Sequence, residues 1–300
     1  MKLAIRRLTP DDAGYPALLR EVPDAPALDV RGAVDPADAL AIAIVGSRRA
    51  TPYGVEVAES LASELAARGV TIVSGLARGI DTAAHRGALG AGGRTLAVLG
   101  CGIDVVYPPE NARLAADVAA RGALLSQFAA GTPPLPYNFP ARNRTLAGLA
   151  LGVVVVEATE RSGALITAGF AGDLGREVFA VPGRITSPSS RGANRLLQDG
   201  AKLVQHWTDV VSELPDQWRR AVRDSETVDD TAGPADGSDE ARMLHALSVD
   251  EPQHIERLIA RVEMEAARVS AVLTALELGG WARQLAGQRW IATGARARRA

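Results

Sequence analysis

Six short apolar runs recur along the first two thirds of the chain, each followed by a loop and then by apolar residues at helical spacing. AIAIVG (41–46) leads into the helical pattern VEVAESLASELAARG. VTIVSG (70–75) leads into a helix at about 80–89, and TLAVLG (95–100) into one at about 110–121. ALLSQF (123–128), GVVVVEA (152–158) and EVFAVPG (177–183) continue the scheme. Strands without a polar face, alternating with helices, belong in a parallel sheet covered on both sides. The pattern predicts an α/β domain, a doubly wound parallel sheet, over residues 41–214. Ligands of such sheets bind beyond the carboxyl ends of the strands, near the point where strand order reverses. The unusual residues stand at those ends: Gly46-Ser47-Arg48, Ser74-Gly75, Gly100-Cys101-Gly102, Glu157 and Pro182-Gly183.

Outside that domain the pattern changes. Residues 1–40 are mixed, with turn signals at Gly14-Tyr15-Pro16 and Pro23 to Pro26, and read as a lead-in packed on the main domain. Residues 215–239 are polar, then acidic, and nearly free of large apolar side chains after Trp218, the composition of a linker. From 240 to 300 three helical patterns precede WARQLAGQRWIA, which reads as two short strands around Ala-Gly. Three helices and a hairpin predict a small winged-helix-like domain, ending in the basic tail ARARRA.

Composition narrows the chemistry. The net charge of −2 excludes a globally basic nucleic-acid binder, so any anion site arises from local clustering. The single cysteine, Cys101, excludes a disulfide framework and a cysteine-rich zinc site, and reads as a small buried residue. No histidine or carboxylate cluster stands at metal spacing, so no metal and no cofactor is expected. The N-terminus lacks a signal-peptide pattern and no apolar run is long enough to span a membrane; a cytoplasmic protein is expected.

The strand-end turns carry the candidate chemistry. GSRRATPYG is neither GxGxxG nor a Walker A loop. Gly46 permits close backbone approach, Ser47 offers a hydroxyl, and Arg48 and Arg49 can reach phosphate; the same turn also serves as a plain strand-to-helix connection with a solvated arginine pair. In SGLARGID, glycines including Gly75 bracket Arg78, and Asp81 is expected to cap a helix beginning near Thr82. His85, on that helix, reads as a surface or hydrogen-bonded residue. NFPARNRTLAG (138–148) reads as a loop entering the first turn of a helix, with Arg142 and Arg144 in that turn, where the helix dipole disfavours cations. At i and i+2 they do not share a face. Arg142 is expected toward a polyanion and Arg144 partly on structure, against Glu157. Asn143 can donate and accept. Phe139 is either core or a stacking platform for a base, and Asn138 precedes it. Ser162 and Gly163 open a further helix, with Thr167 one turn in, as a second phosphate cradle. Glu157 could be a general base, but no nucleophile–base pair is visible, and pairing with an arginine is preferred. Several anion-receptive turns on one sheet edge suit an extended polyanion better than a single nucleotide.

These residues carry a resemblance. GYP (14–16), AIVGSR (43–48), YG (53–54), VSGLARGID (73–81), AH (84–85), YP (107–108), FPARNR (139–144), SGALITA (162–168), VFAVPG (178–183) and GAN…LLQDGAKLV (192–204) resemble, in order, the DNA-processing protein A family, also called DprA or Smf. The resemblance spans about 14–214 and implies a Rossmann-like domain that binds single-stranded DNA without cutting it. It implies protection of incoming strands in natural transformation, loading of the RecA recombinase, and a homodimer. It carries DNA-binding or pocket-forming roles to Arg48, Phe139, Arg142, Asn143, Arg144, Ser162 and Thr167, and a dimer surface to the region of Asn194, Leu197 and Leu203. Two positions depart from the family pattern. Ser126-Gln127 stands where many members have Ser-Glu, and Pro109 where some have lysine. One alternative is a phosphoribohydrolase of the lysine-decarboxylase-like group, but VPGRITSPSSRGAN lacks its PGGxGT-type loop. Another is a winged-helix regulator of duplex DNA, which the acidic composition of the small domain opposes.

Overall fold

The computed structural model describes residues 3–223, 234, 237–248, 251–262, 264–279, 281–285 and 287–292. The chain divides into two compact units, Met1–Ser225 and Glu226–Ala300.

The large unit holds nine strands: β1 (Ile5–Leu8), β2 (Leu28–Gly32), β3 (Ala41–Val45), β4 (Thr71–Ser74), β5 (Thr95–Val98), β6 (Ala123–Ser126), β7 (Gly152–Val155), β8 (Glu177–Ala180) and β9 (Lys202–Leu203). Its helices are α1 (Ala17–Arg20), α2 (Pro52–Ala67), α3 (Ile80–Gly90), α4 (Ala112–Arg121), α5 (Asn138–Gly148), α6 (Gly163–Asp173), α7 (Arg191–Gln198), α8 (Trp207–Ser212) and α9 (Asp216–Arg219). The strands form one sheet in the order β1-β2-β6-β5-β4-β3-β7-β8-β9. From β6 to β9 every pairing is parallel.

The six apolar runs become the six strands β3 to β8. Every residue of β3 to β7 is buried, because both faces of the sheet are covered. Alternate residues divide between two cores. Ala41, Ala43 and Val45 pack with Leu146 of α5 and Ala168 of α6, whereas Ile42 and Ile44 pack with Leu61 of α2 and Ala84 of α3. After β3 the chain winds outward through β4, β5 and β6, then returns to place β7 beside β3 and winds the other way. The reversal parts the turn after β3 from the turn after β7, and a crevice opens between them.

Residues 1–40, expected as a lead-in packed on the domain, extend the sheet itself. β2 pairs antiparallel with β6, and β1 with β2. IRRL and LDVRG are short and interrupted by charge, so their strand signal in the sequence is weak; the exposed edge needs no continuous apolar run. The stretch expected as a linker from 215 is packed at its start. Trp218 and Val222 pack against the core on the α2–α3 face of the sheet, and the Arg223 N–H donates to the Arg68 carbonyl (3.0 Å). The rest of that stretch, at 224–233 and 235–236, and the basic tail lie outside the described residues.

The small unit contains α10 (Asp239–Ala246), α11 (Ile255–Val262) and α12 (Ala266–Leu278) with β10 (Gln253–His254), β11 (Ala282–Leu285) and β12 (Arg289–Ala292) in the order β10-β12-β11. Met243, Leu258, Val269, Leu273, Trp281 and Trp290 form its core. It is a winged-helix arrangement; the third strand, β10, is an addition to the expected hairpin.

Candidate nucleic-acid interface

At the switch point the structure forms an open cleft of about 1010 Å³. Its walls are the turn after β3, the start of α5, the start of α6, and the loop before α7. Of the residues singled out in the sequence, Gly46, Ser47, Arg48, Arg49, Phe139, Arg142, Asn143, Ser162, Gly163 and Thr167 line it, and Gly75, Arg78, Asn138 and Arg144 do not.

The turn after β3 is held tightly while its arginines stay free. The Ser47 hydroxyl accepts from the Arg49 N–H (3.1 Å), and the Ser47 carbonyl accepts from the Ile80 N–H (3.2 Å). Gly79 sits against that carbonyl at φ 71°; a side chain there would be strained and would place Cβ 2.2 Å from Ser47 O. Arg48 and Arg49 are exposed, and neither forms an ion pair among the described residues. The Arg48 guanidinium lies over the Phe139 ring, 4.8 Å from its centroid.

The α5 arginines differ from the expectation in three ways. First, the helix begins at Asn138, so Arg142 and Arg144 stand in its second turn, where the dipole penalty has largely faded. Second, Arg142 is only 4% exposed and forms part of the cleft floor rather than projecting from it. Its Nη1 donates to the Val98 carbonyl (2.9 Å), while its Nε has no partner among the described residues. Room for it comes from Gly75: a Cβ there would lie 1.6 Å from Arg142 Nη1 and 2.7 Å from Asp81 Oδ2. Third, Arg144 does not meet Glu157. It points away from the cleft and donates to the Pro23 carbonyl (2.9 Å). Glu157 accepts instead from Thr51 N (2.9 Å) and Thr51 Oγ1 (2.6 Å).

The negative group beside Arg142 is Asp81. It is not the cap of α3, which begins one residue earlier with Gly79 before it. Its carboxylate accepts from the Ala77 N–H (3.2 Å). Burial pushes the Asp81 carboxyl up, and Arg142, the Ala77 amide and Arg48 act in the opposite direction. Burial likewise lowers the affinity of Arg142 for its proton, against the attraction of Asp81. One turn along α3, His85 is fully buried, with Nδ1 2.7 Å from Thr95 Oγ1. Thr95 gives its only hydroxyl hydrogen to the Ile72 carbonyl (2.7 Å), so His85 Nδ1–H is the donor and Nε2 is an acceptor without a partner among the described residues. Burial, and then the nearby Arg142, push the imidazole down to about 3, so His85 is neutral.

The other wall is built on α6. Ser162 caps it, accepting from the Ala164 N–H (3.3 Å), and Ser162, Gly163 and Ala164 line the cleft at the positive end of the helix. Asn143 ties α5 to this turn by donating to the Gly163 carbonyl (3.3 Å), and Thr167 lies behind it, 2% exposed. Arg78 is exposed and paired with Glu110, and Asn138 is buried with its amide toward the Pro133 carbonyl (3.4 Å). On the expected dimer surface, Asn194 grips Gly183 by both backbone groups (3.0 and 2.9 Å), Leu197 packs on the core, and Leu203 is 49% exposed on β9.

Sequence reasoning missed several cleft residues: Tyr107, whose ring centroid lies 6.2 Å from that of Phe139; Pro134 and Pro136; and Ser187 and Ser189. The Tyr-Pro pair was a signal available for Tyr107; nothing local marks the serines. Among the described residues no cluster of His, Cys, Asp or Glu is placed to hold a metal ion, and no helix is long and apolar enough to cross a membrane.

Residues 6–215 match the family model for DNA recombination-mediator protein A, and residues 228–288 match the DprA winged helix domain. The chain is similar to protein Smf of Escherichia coli, 47% identical over 206 residues that cover 68% of this chain and 55% of that protein. It therefore spans about half the length of that relative. Among solved structures, DNA processing protein A from Streptococcus pneumoniae is 44% identical with a TM-score of 0.67, covering 70% of this chain and 75% of the other. DNA processing protein A from Helicobacter pylori is 30% identical with a TM-score of 0.62, covering 71% and 97%, and its structure was described for its single-stranded DNA binding mode.

Proposed function

The chain belongs to the DNA recombination-mediator protein A family, and from that membership we propose that its cleft binds single-stranded DNA. The observation that carries the reading is the convergence of Arg48, Arg49 and the α6 N-terminus on one open crevice, with Phe139 between them and Arg142 in the floor. Cations and free amides receive phosphates, and the aromatic surface of Phe139 and Tyr107 receives bases without regard to sequence. The strand is held, not cut. A carboxylate-based hydrolytic site needs a carboxylate free to move a proton: Asp81, which lines the cleft, is bonded to the Ala77 amide beside Arg142, and Glu157, which does not line it, is bonded to Thr51. The same commitment disfavours the phosphoribohydrolase alternative. In the cell the protein shields incoming or damaged single strands in the cytoplasm and helps load the RecA recombinase onto them. It acts as a homodimer through the α7–β9 region around Asn194, Leu197 and Leu203.

Oligo-dT titrations at several salt concentrations test the reading. Single strands are expected to bind more tightly than duplex of the same length, with a log–log salt slope of about −0.7 per phosphate contact. Arg48→Ala is expected to weaken binding to every sequence alike and to flatten the slope. Equal affinity for duplex, or an unchanged slope in the variant, removes the cleft from the mechanism.

A further inference from the structure

The arginine-bearing turn and the serine loop opposite it share one anchor, and that anchor is acidic. Glu157 is 2% exposed, stands two residues beyond the end of β7, and has no ion-pair partner among the described residues. Its carboxylate accepts from Thr51 N (2.9 Å), Thr51 Oγ1 (2.6 Å) and, from the far wall, Ser189 Oγ (3.4 Å). Thr51 Oγ1 in turn accepts from the Gly54 N–H (3.1 Å) and caps α2, so its rotamer is fixed from both sides. Gly54 is present because the carboxylate occupies the space of a side chain: a Cβ there would lie 2.5 Å from Glu157 Cδ. The turn carrying Arg48 and Arg49 is thus pinned at Ser47 by α3 and at Thr51 by Glu157.

A buried carboxylate beside a site for a polyanion is electrostatically unfavourable, and among the described residues no arginine pairs with it. Its geometry explains its presence. We propose that Glu157 is a positioning residue: it holds the Arg48–Arg49 turn and the Ser187–Ser189 loop at the separation a single strand requires. It acts through Thr51 and does not touch DNA. The inference rests on the reading of the cleft as a single-strand site.

The two views predict opposite signs. If Glu157 acts only as a charge, Glu157→Ala strengthens oligo-dT binding, because a repulsive charge is gone. If it positions the turn, Glu157→Ala weakens binding by as much as Arg48→Ala and lowers the salt slope by about 0.7, although no cation is removed. The double variant Arg48→Ala/Glu157→Ala is then no weaker than Arg48→Ala alone. Glu157→Gln, whose amide can still accept from Thr51 N and donate to Thr51 Oγ1, restores the slope. Should Glu157→Ala fail to fold by circular dichroism, Thr51→Val deletes the hydroxyl contact at constant shape and carries the same expectation for affinity and slope. Tighter or unchanged binding in these variants, or additive losses in the double variant, overturns the positioning role while Arg48→Ala still supports the cleft. Failure of the wild-type chain to bind oligo-dT overturns both.

Discussion

The cleft of the large unit and helix α12 of the small unit are the two surfaces where a nucleic-acid reading applies, and they treat their polar groups in opposite ways. In the cleft, Arg48 and Arg49 are exposed without carboxylate partners among the described residues, and the start of α6 lines the same crevice. On α12 the exposed polar and charged positions are Arg268, Ser270, Thr274 and Glu277. Arg268 is tied to Asp239 (2.7 Å), and both hydroxyls bond back to their own helix, Ser270 to Ala266 O (3.1 Å) and Thr274 to Ser270 O (2.9 Å). A helix that reads a groove needs donors left over for base edges and phosphates. This one has used its donors internally. Arginine number alone therefore says little about nucleic acid; what matters is whether each guanidinium already has a partner.

The largest expected effect separates a buried arginine from a surface one. Arg142→Ala leaves the buried Val98 carbonyl without its donor and takes a neighbouring positive charge from buried Asp81, and a loss of about 1–3 kcal/mol is expected in urea unfolding. Arg268→Ala removes an exposed, solvent-screened pair and is expected to leave the unfolding transition almost unchanged. Equal costs would erase the contrast between the two regions.

A smaller effect concerns pH. His85 titrates near 3 in the folded chain, below its unfolded value of about 6.5, so its contribution is fully present above that value and is lost as pH falls. The large unit is expected to lose up to about 1.4 kcal/mol per pH unit below 6.5, and His85→Leu to flatten that slope in urea unfolding between pH 7 and 5. His245 and His254 of the small unit are not buried. An unaltered slope in His85→Leu would remove the imidazole as its source.

The smallest effect is expected from removing residues 226–300. Oligo-dT affinity and salt slope should match those of the full chain, since α12 has no unpaired cation to offer. A flatter slope in the truncated chain would show that the small unit contributes phosphate contacts, and the comparison would fail at its weaker side.

The strands and strand-end turns that build the cleft were legible because each apolar run ends in a glycine or polar turn, and those signals are local. The two arginines of α5 were legible as a non-equivalent pair from their spacing of two. Their assignment was only half legible. The partner of Arg144 is the Pro23 carbonyl, 121 residues away, and Arg142 enters the floor because Gly75 has no side chain. The mistaken Arg144–Glu157 pair came from matching opposite charges without knowing which backbone groups compete for them.

The sequence by itself determined the alternation of strands and helices, the location of ligand-receptive turns, and the family, because periodicity and glycine placement are properties of neighbouring residues. Only the tertiary structure decided which polar groups are already satisfied. Glu157 reaches Thr51 across 106 residues and Ser189 across 32, and Arg142 reaches Val98 across 44. Hydrogen bonds over such separations depend on how the strand ends are brought together, and strand order is set by packing of the whole sheet rather than by any local pattern.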